Sequence, residues 1–365
     1  MSTVVVLGGY GTFGRRVVQA LASDTSHQVF VCGRDLRKAT LTADEVGGTA
    51  KPVALDCQRA DLAHQLTRLG ASIVVHTAGP FQSQDYSVAR ACIDAGCHYI
   101  DLADARSFVN GIGSLDRRAH AKGVLIVSGA SSVPALSSAA IDKLRVSFSR
   151  IDTIECAITS GAKPPGEATM RGTLAYAGKA LSVWSENRWK TAHGWQGLRF
   201  KRYPYLGARL IAHCDVPDLD LFPKRYTAST VQFRAGTASK FQMATLWLVA
   251  WLVRMNLLSS LDRYVSRMHR IAGRLAQRGS KSSAMHVHVK GIDHDNQPVA
   301  RTWYLFANQD HGPFIPTFPS IALTRKLLRG ELSQRGAMPC VGLLSVEDIL
   351  AVGSELDLQV YEGEG

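Results

Sequence analysis

Six short apolar runs stand at nearly even intervals in the first third of the chain. They are Val4-Val5-Val6-Leu7, Val29-Phe30-Val31-Cys32, Val53-Ala54-Leu55, Ile73-Val74-Val75, His98-Tyr99-Ile100 and Val124-Leu125-Ile126-Val127. They are continuous instead of alternating, which is what parallel strands covered on both faces require. Helix-period patterns lie between them, for example over residues 13–22 and 85–95. Strand, helix, strand repeated six times in about 130 residues predicts an α/β chain whose N-terminal part is a Rossmann doubly wound parallel sheet.

At roughly 150 residues per domain, a chain of 365 residues calls for more than one core. The texture changes after residue 130. Pro134, in GASSVPALSSAAIDKL, suits the first turn of a helix running to Leu144. Strands are expected over 151–160, 225–235, 284–291 and 300–308, with MHVHVKG the clearest case of period-two alternation. Residues 1–130 are therefore read as the first domain. Residues 131–320 form a second, α+β domain on a mainly antiparallel sheet. Residues 321–365, helical over 321–350, are expected to return to the first.

The first strand runs straight into Gly8 and then Gly9-Tyr10-Gly11-Thr12-Phe13-Gly14. A G-x-G-x-x-G alone says little in a chain with 32 glycines. Here it closes a buried strand and opens a helix, the context a pyrophosphate-binding turn needs. The first glycines allow a tight turn and close approach of backbone N–H groups. Gly14 lets helix and strand pack closely, and the helix N-terminus favours negative charge.

The second strand ends Cys32-Gly33-Arg34, with no carboxylate before Asp35. A reader of the NAD ribose carries Asp or Glu there, whereas a guanidinium offers a planar fork to a 2′-phosphate. Arg15, Arg37 and Lys38 add local positive potential, so NADP is the expected cofactor. Asp56, ending the third strand, has two readings: an acceptor for the adenine amino group, or a helix cap. Ala78, Gly79, Pro80 and Phe81 end the fourth strand and are expected to line the ligand crevice near the nicotinamide.

Composition excludes several other classes. The net charge of +12 invites a nucleic-acid partner, but no zinc finger, basic zipper or ribonucleoprotein signature accompanies it. Seven scattered cysteines in a chain whose start carries no signal-peptide pattern read as reduced thiols, and a cytoplasmic location is expected. Cys92, Cys97 and His98 lack a second ligand pair at zinc spacing, so no metal is expected.

The passages GGYGTFG, VCGRDLRKA, HTAGPFQSQDYSVARACIDAGCHYIDLAD and GASSVPALSS resemble the saccharopine dehydrogenase (saccharopine reductase-like) family over residues 3–145. HGPFIPTFPSIALTRKL and RGAMPCVGLLSVEDIL resemble the C-terminal part of its bacterial members. The resemblance implies an NADP-binding Rossmann domain, an inserted α+β domain carrying substrate and homodimer contacts, and hydride transfer, in the founding members to the C=N bond of an imine. Two departures stand out. The family's lysine-pathway reductases carry an Asp in a G-L-D-P-G turn where this chain has Gly129-Ala130-Ser131-Ser132-Val133-Pro134, and a C-G-G turn where it has Ser160-Gly161-Ala162. A serine hydroxyl is a poor proton donor near neutral pH, so saccharopine itself is not the expected substrate.

The residues expected to face the nicotinamide are Tyr99, Asp101, Asp104, Ser131 and Ser132, at the carboxyl ends of strands five and six. Tyr99, Ser131 and Ser132 are read as substrate-binding and Asp101 as the catalytic candidate, with helix capping as its competing reading. Tyr176, Cys340 and His311 are weaker candidates, and no Y-x-x-x-K occurs. Residues 241–278 combine FQMATLWLVAWLV with Arg263, Arg267, Arg270, Arg274 and Arg278 at helical spacing. That suits peripheral membrane contact or an acyl substrate, and equally a buried helix followed by a solvated one. An NADP(H)-dependent oxidoreductase acting on a C=N or C=O bond is the first expectation. A trans-acting enoyl reductase on an acyl substrate, a catalytically silent NADP-binding regulator and a membrane-surface protein are its alternatives.

Overall fold

The structure, a computed structural model, describes residues 2–161, 166–258, 265, 270 and 280–364. Ala162 and, from the expected arginine stripe, Arg263, Arg267, Arg274 and Arg278 lie outside the described residues. The chain divides into two compact units: Met1–Leu136 with Phe314–Val352, and Ser137–Pro313 with Gly353–Gly365.

The first unit holds a parallel sheet of seven strands among the described residues. Six alternate with helices: β1 (Ser2–Leu7), β2 (His27–Gly33), β3 (Ala50–Ala54), β4 (Ile73–His76), β5 (His98–Asp101) and β6 (Leu125–Ser128). The seventh, β15 (Gly336–Pro339), arrives from the far end of the chain, and the order is β15-β6-β5-β4-β1-β2-β3. The strand order reverses between β1 and β4, the switch point at which such sheets bind ligands. Val4, Val5, Val6, Val74 and Val75 are wholly enclosed, as continuous apolarity requires. Each is worth roughly 1.5–3 kcal/mol of burial. The helix after β1, α1 (Thr12–Ala22), buries Val17, Val18 and Leu21 against the sheet.

The C-terminal region departs from its expected helical reading. Between the helices Phe318–Leu328 and Val346–Leu350 the chain becomes the edge strand β15, and Ala337 donates its amide to Asp116 at 2.9 Å. A four-residue strand of Gly, Ala, Met and Pro carries no β-branched signal, and its proline is tolerated because it lies at an edge. Residues 353–365 do not stay with the first unit. Their strand β16 (Leu358–Glu364) pairs antiparallel with β14 (Pro298–Ala307) of the second.

The second unit is built on a sheet ordered β10 (Arg199–Tyr203), β11 (Gly207–His213), β12 (Thr230–Thr237), β7 (Arg150–Ser160), β13 (Ser283–Ile292), β14, β16. The hairpin β8 (Ala180–Ser185) and β9 (Arg188–His193) is attached through β12. Only the β12–β7 pairing is parallel among the described pairs. In β13, Val287 and Val289 are fully enclosed, while His286 and His288 share the opposite face. The strand expected over 225–235 begins only at Thr230. Arg225 and Tyr226 instead end a helix at Asp218–Tyr226, whose acidic first turn and basic last turn match its dipole.

Candidate dinucleotide site

The turn after β1 is held by its own backbone. Gly8 and Gly9 both donate to the Cys32 carbonyl, at 2.9 and 3.0 Å, and Gly11 donates back to Gly8 at 2.8 Å. Gly8 takes a φ of +76°, which a side chain would resist. A Cβ on Gly14 would collide with the Gly8 carbonyl and the Thr77 hydroxyl. Thr77 Oγ1 itself donates to Leu7 at 2.8 Å and to Gly8 at 3.2 Å, stitching β4 to the turn. Gly11 caps α1 without a side-chain acceptor, and no acidic residue stands in the first turn. Gly11 and Thr12 are exposed and Phe13 is half-buried. The helix therefore presents amides and a positive dipole end to solvent, a fit for an anion.

Tyr10 carries the turn across to the end of β2. Its ring lies where a Cβ on Gly33 would stand, and its hydroxyl accepts from the Asp35 amide at 3.3 Å. Asp35 caps the helix Leu36–Val46 by accepting from Lys38 at 3.2 Å, so it is engaged in holding backbone. Arg34, beside it, is exposed and makes no hydrogen bond or ion pair among the described residues. Arg15 is paired with Glu45 at 2.7 Å and Lys38 lies 3.8 Å from Asp35. Of the four cations proposed around a 2′-phosphate, two are therefore already neutralised, and Arg34 is available. Asp56 accepts from the Gln58 amide at 3.0 Å in the loop after β3, and it caps no helix, since Asp61 holds that place for the helix Leu62–Arg68.

The turn Ala78-Gly79-Pro80-Phe81 is clamped from beneath. Gln84 donates to the carbonyls of Ala78 at 2.7 Å and Pro80 at 3.0 Å, while its own oxygen accepts from His76 Nε2 at 3.0 Å. His76 is completely enclosed, and burial pulls its pKa down to about 4. It stays neutral and works as a fixed donor. Phe81 seats its ring 5.1 Å from the His76 ring.

Asp101 ends β5, the place expected of it, but faces inward. It has no exposed surface. Its Oδ1 accepts from Gly129 N at 2.8 Å, Ala103 N at 2.9 Å and Ser128 Oγ at 3.0 Å. Burial pushes its pKa up to about 6 against the pull of those donors and of the Tyr99 hydroxyl on the same face. The carboxyl fastens the end of β5 to the turn after β6. It is a positioning residue, and it caps no helix, since Ala105 holds that place for the next one.

Tyr99 is enclosed in the apolar core, and Ser131 and Ser132 are buried in the turn below Gly129. The expected substrate contact at Tyr99 does not hold, because its ring is enclosed in the core that covers this face of β5. Cys340 is buried beside Asp101, which with desolvation raises its thiol out of the reactive range. In the second unit Tyr176 stacks on Trp195 and meets Cys214 at 2.9 Å, and His311 accepts from the Asp357 amide at 2.9 Å.

Asp104 is the half-exposed carboxyl of the β5 end. Gln82 donates to it at 3.3 Å, and burial raises its pKa. Thr77, His76, Gln82 and Gln84 were not singled out from sequence. Their signal was the polar residues framing AGPF: the His76 and Gln84 partners are local, whereas those of Thr77 lie on β1 and its turn and that of Gln82 after β5.

Residues 4–127 match the family model described as the saccharopine dehydrogenase NADP binding domain. No curated protein matches the chain. Among solved structures, the chain is similar to saccharopine dehydrogenase (L-Glu forming) from Saccharomyces cerevisiae, with 13% identity, a TM-score of 0.70 and 100% of both chains covered. Homospermidine synthase from Legionella pneumophila, in complex with NAD, follows at 10% identity and a TM-score of 0.63, covering 100% of this chain and 91% of that one. An amine dehydrogenase from Mycobacterium smegmatis aligns at 12% identity and a TM-score of 0.52, covering 96% and 95%. At these identities the likeness is one of fold.

Proposed function

Because residues 4–127 belong to the saccharopine dehydrogenase NADP-binding-domain family, we propose that the chain is an NADP(H)-dependent oxidoreductase acting on a C=N or C=O bond of a small molecule other than saccharopine. The observation that carries this reading is the N-terminus of α1 without a side-chain cap, its Gly11 and Thr12 exposed, with Arg34 at the end of β2 unpaired among the described residues. The amides of Gly11 to Gly14 would hold the pyrophosphate and Arg34 the 2′-phosphate. When bound, the cofactor supplies or accepts the hydride.

The chain's own residues have the remaining tasks. The Gln84 clamp holds the Ala78–Phe81 turn rigid, and Asp101 fixes the loop after β6. Asp104 is the candidate to hold or release a proton, because it is only half-buried at the end of β5 and accepts from Gln82, and burial raises its pKa. The turn at Gly129 to Pro134 lacks the carboxylate of the lysine-pathway reductases, which argues for a different substrate. A second reading, reduction of an acyl substrate, is favoured by the apolar surface described below. Oxidation of bound NADPH is to be followed with a panel of imines, ketones and enoyl thioesters. Turnover of an imine or ketone is expected, with Asp104→Asn lowering kcat about a hundredfold. NADPH that binds and is oxidised by no member of the panel would contradict the proposal.

A further inference from the structure

One helix of the second unit has apolar residues all round and yet stands half in water. It spans Lys240–Arg254, and only its two end residues are charged. Met243 and Ala250 are buried, and Leu246, Val249 and Val253 pack beside them, so one face is anchored in the core of the unit. The opposite face carries Phe241, Thr245, Leu248 and Leu252, four and three residues apart, and continues to Met255. Phe241 is 73% exposed, Leu248 54% and Met255 59%. A helix that is hydrophobic on every side belongs inside a protein or against lipid. This one has only its inner face inside.

The surroundings extend the patch. Phe200, on the neighbouring strand β10, is 70% exposed, with the Lys240 ammonium 6.0 Å from its ring. Trp247 and Trp251 flank the stripe half-buried, their rings 6.3 Å apart, and Arg254 lies 4.8 Å from Trp251. Apolar centre, tryptophan flank and cationic ends follow the order in which a bilayer interface changes from acyl chain to headgroup. The charge is one-sided as well. Residues 187–214 and 221–258 hold lysines and arginines but no aspartate or glutamate. No described helix is long and apolar enough to cross a membrane.

We propose that the outer face of Lys240–Arg254, with Phe200, is a docking surface that lies in the interface of an anionic lipid bilayer. A protein partner would need an acidic, concave surface matched to this stripe, and a second copy would set like charges face to face. An anionic membrane meets both the apolar stripe and the cations around it.

The full chain is mixed with vesicles of phosphatidylcholine and phosphatidylglycerol at three to one, and with phosphatidylcholine alone, and binding is read by flotation and tryptophan emission. The protein is expected to float with the anionic vesicles at low salt, with a blue shift, and to float several-fold less with neutral ones. Phe241→Ser combined with Leu248→Ser replaces exposed side chains, so folding, checked by thermal melting and NADPH binding, is expected to persist while vesicle partitioning falls at least tenfold. Wild type remaining in the aqueous fraction at low salt would overturn the proposal. So would light scattering that shows a dimer converted to monomer by the double variant, which would make the face a self-interface.

Discussion

The two units use their buried polar groups in contrasting ways. In the first unit they fix backbone at the carboxyl end of the sheet: Asp101 holds Gly129 and Ala103, and His76 acts through Gln84 on the Ala78 and Pro80 carbonyls. In the second unit they line one sheet face as cations and imidazoles. Arg234 donates to Gln232 at 2.7 Å, Arg209 to Ser280 at 3.1 Å, and His286 meets Tyr203 at 3.0 Å. The Nε atoms of Arg209 and Arg234 and the Nδ1 of His213 are buried without a partner among the described residues. Burial and the nearby Arg199 bring the Arg234 guanidinium down to about 10. The first unit spends its buried polar groups on backbone geometry, and the second gathers its own as side chains on one sheet face.

That contrast is most sharply tested at Gly14. Gly14→Val should weaken NADPH binding at least a hundredfold and cost about 1–3 kcal/mol of stability, because its Cβ meets backbone that cannot give. Gly207 in the second unit has a positive φ, which Gly14 does not, but open space around it. Gly207→Ala should cost about 1 kcal/mol and leave NADPH binding unchanged. Equal nucleotide loss in both variants by calorimetry would break the comparison.

Asp101→Ala strands two amides and a hydroxyl, and should cost about 3 kcal/mol in urea unfolding. Asp101→Asn keeps the acceptor and removes the charge, so its signature is in pH. The folded pKa of about 6 lies above that of an unfolded aspartate. The stabilising contribution of this group is therefore complete below pH ~4 and is lost as pH rises through about 6. Relative to Asp101→Asn, wild type should lose stability across that window. An offset independent of pH would remove Asp101 from the account.

Arg34→Ala is the smallest change. NADPH should bind about tenfold more weakly, as expected for one lost charge-assisted contact, with NADH unaffected.

Much of the first unit was legible because its signals are contiguous. An enclosed parallel strand is a solid apolar run, and a glycine turn is one short string. What could not be read depends on distant pairing: β15 is four weak residues made a strand by β6, and β16 is drawn to β14 from the end of the chain. Asp101 was found for its position at a strand end, but its task is set by Ser128 and Gly129, which sequence places 27 and 28 residues away. The helix Lys240–Arg254 was apparent as an apolar segment, while the exposure of one face needed the packing of Met243 and Ala250 to be known.

The central claim is that the turn from Gly8 to Gly14, with Arg34, holds a phosphorylated nicotinamide dinucleotide. Isothermal titration of the pure, folded protein with NADPH and with NADH tests it most directly. The account predicts saturable heat with NADPH in the micromolar range and binding of NADH at least ~10-fold weaker, about 1.4 kcal/mol. No heat with either nucleotide at millimolar concentration would contradict it.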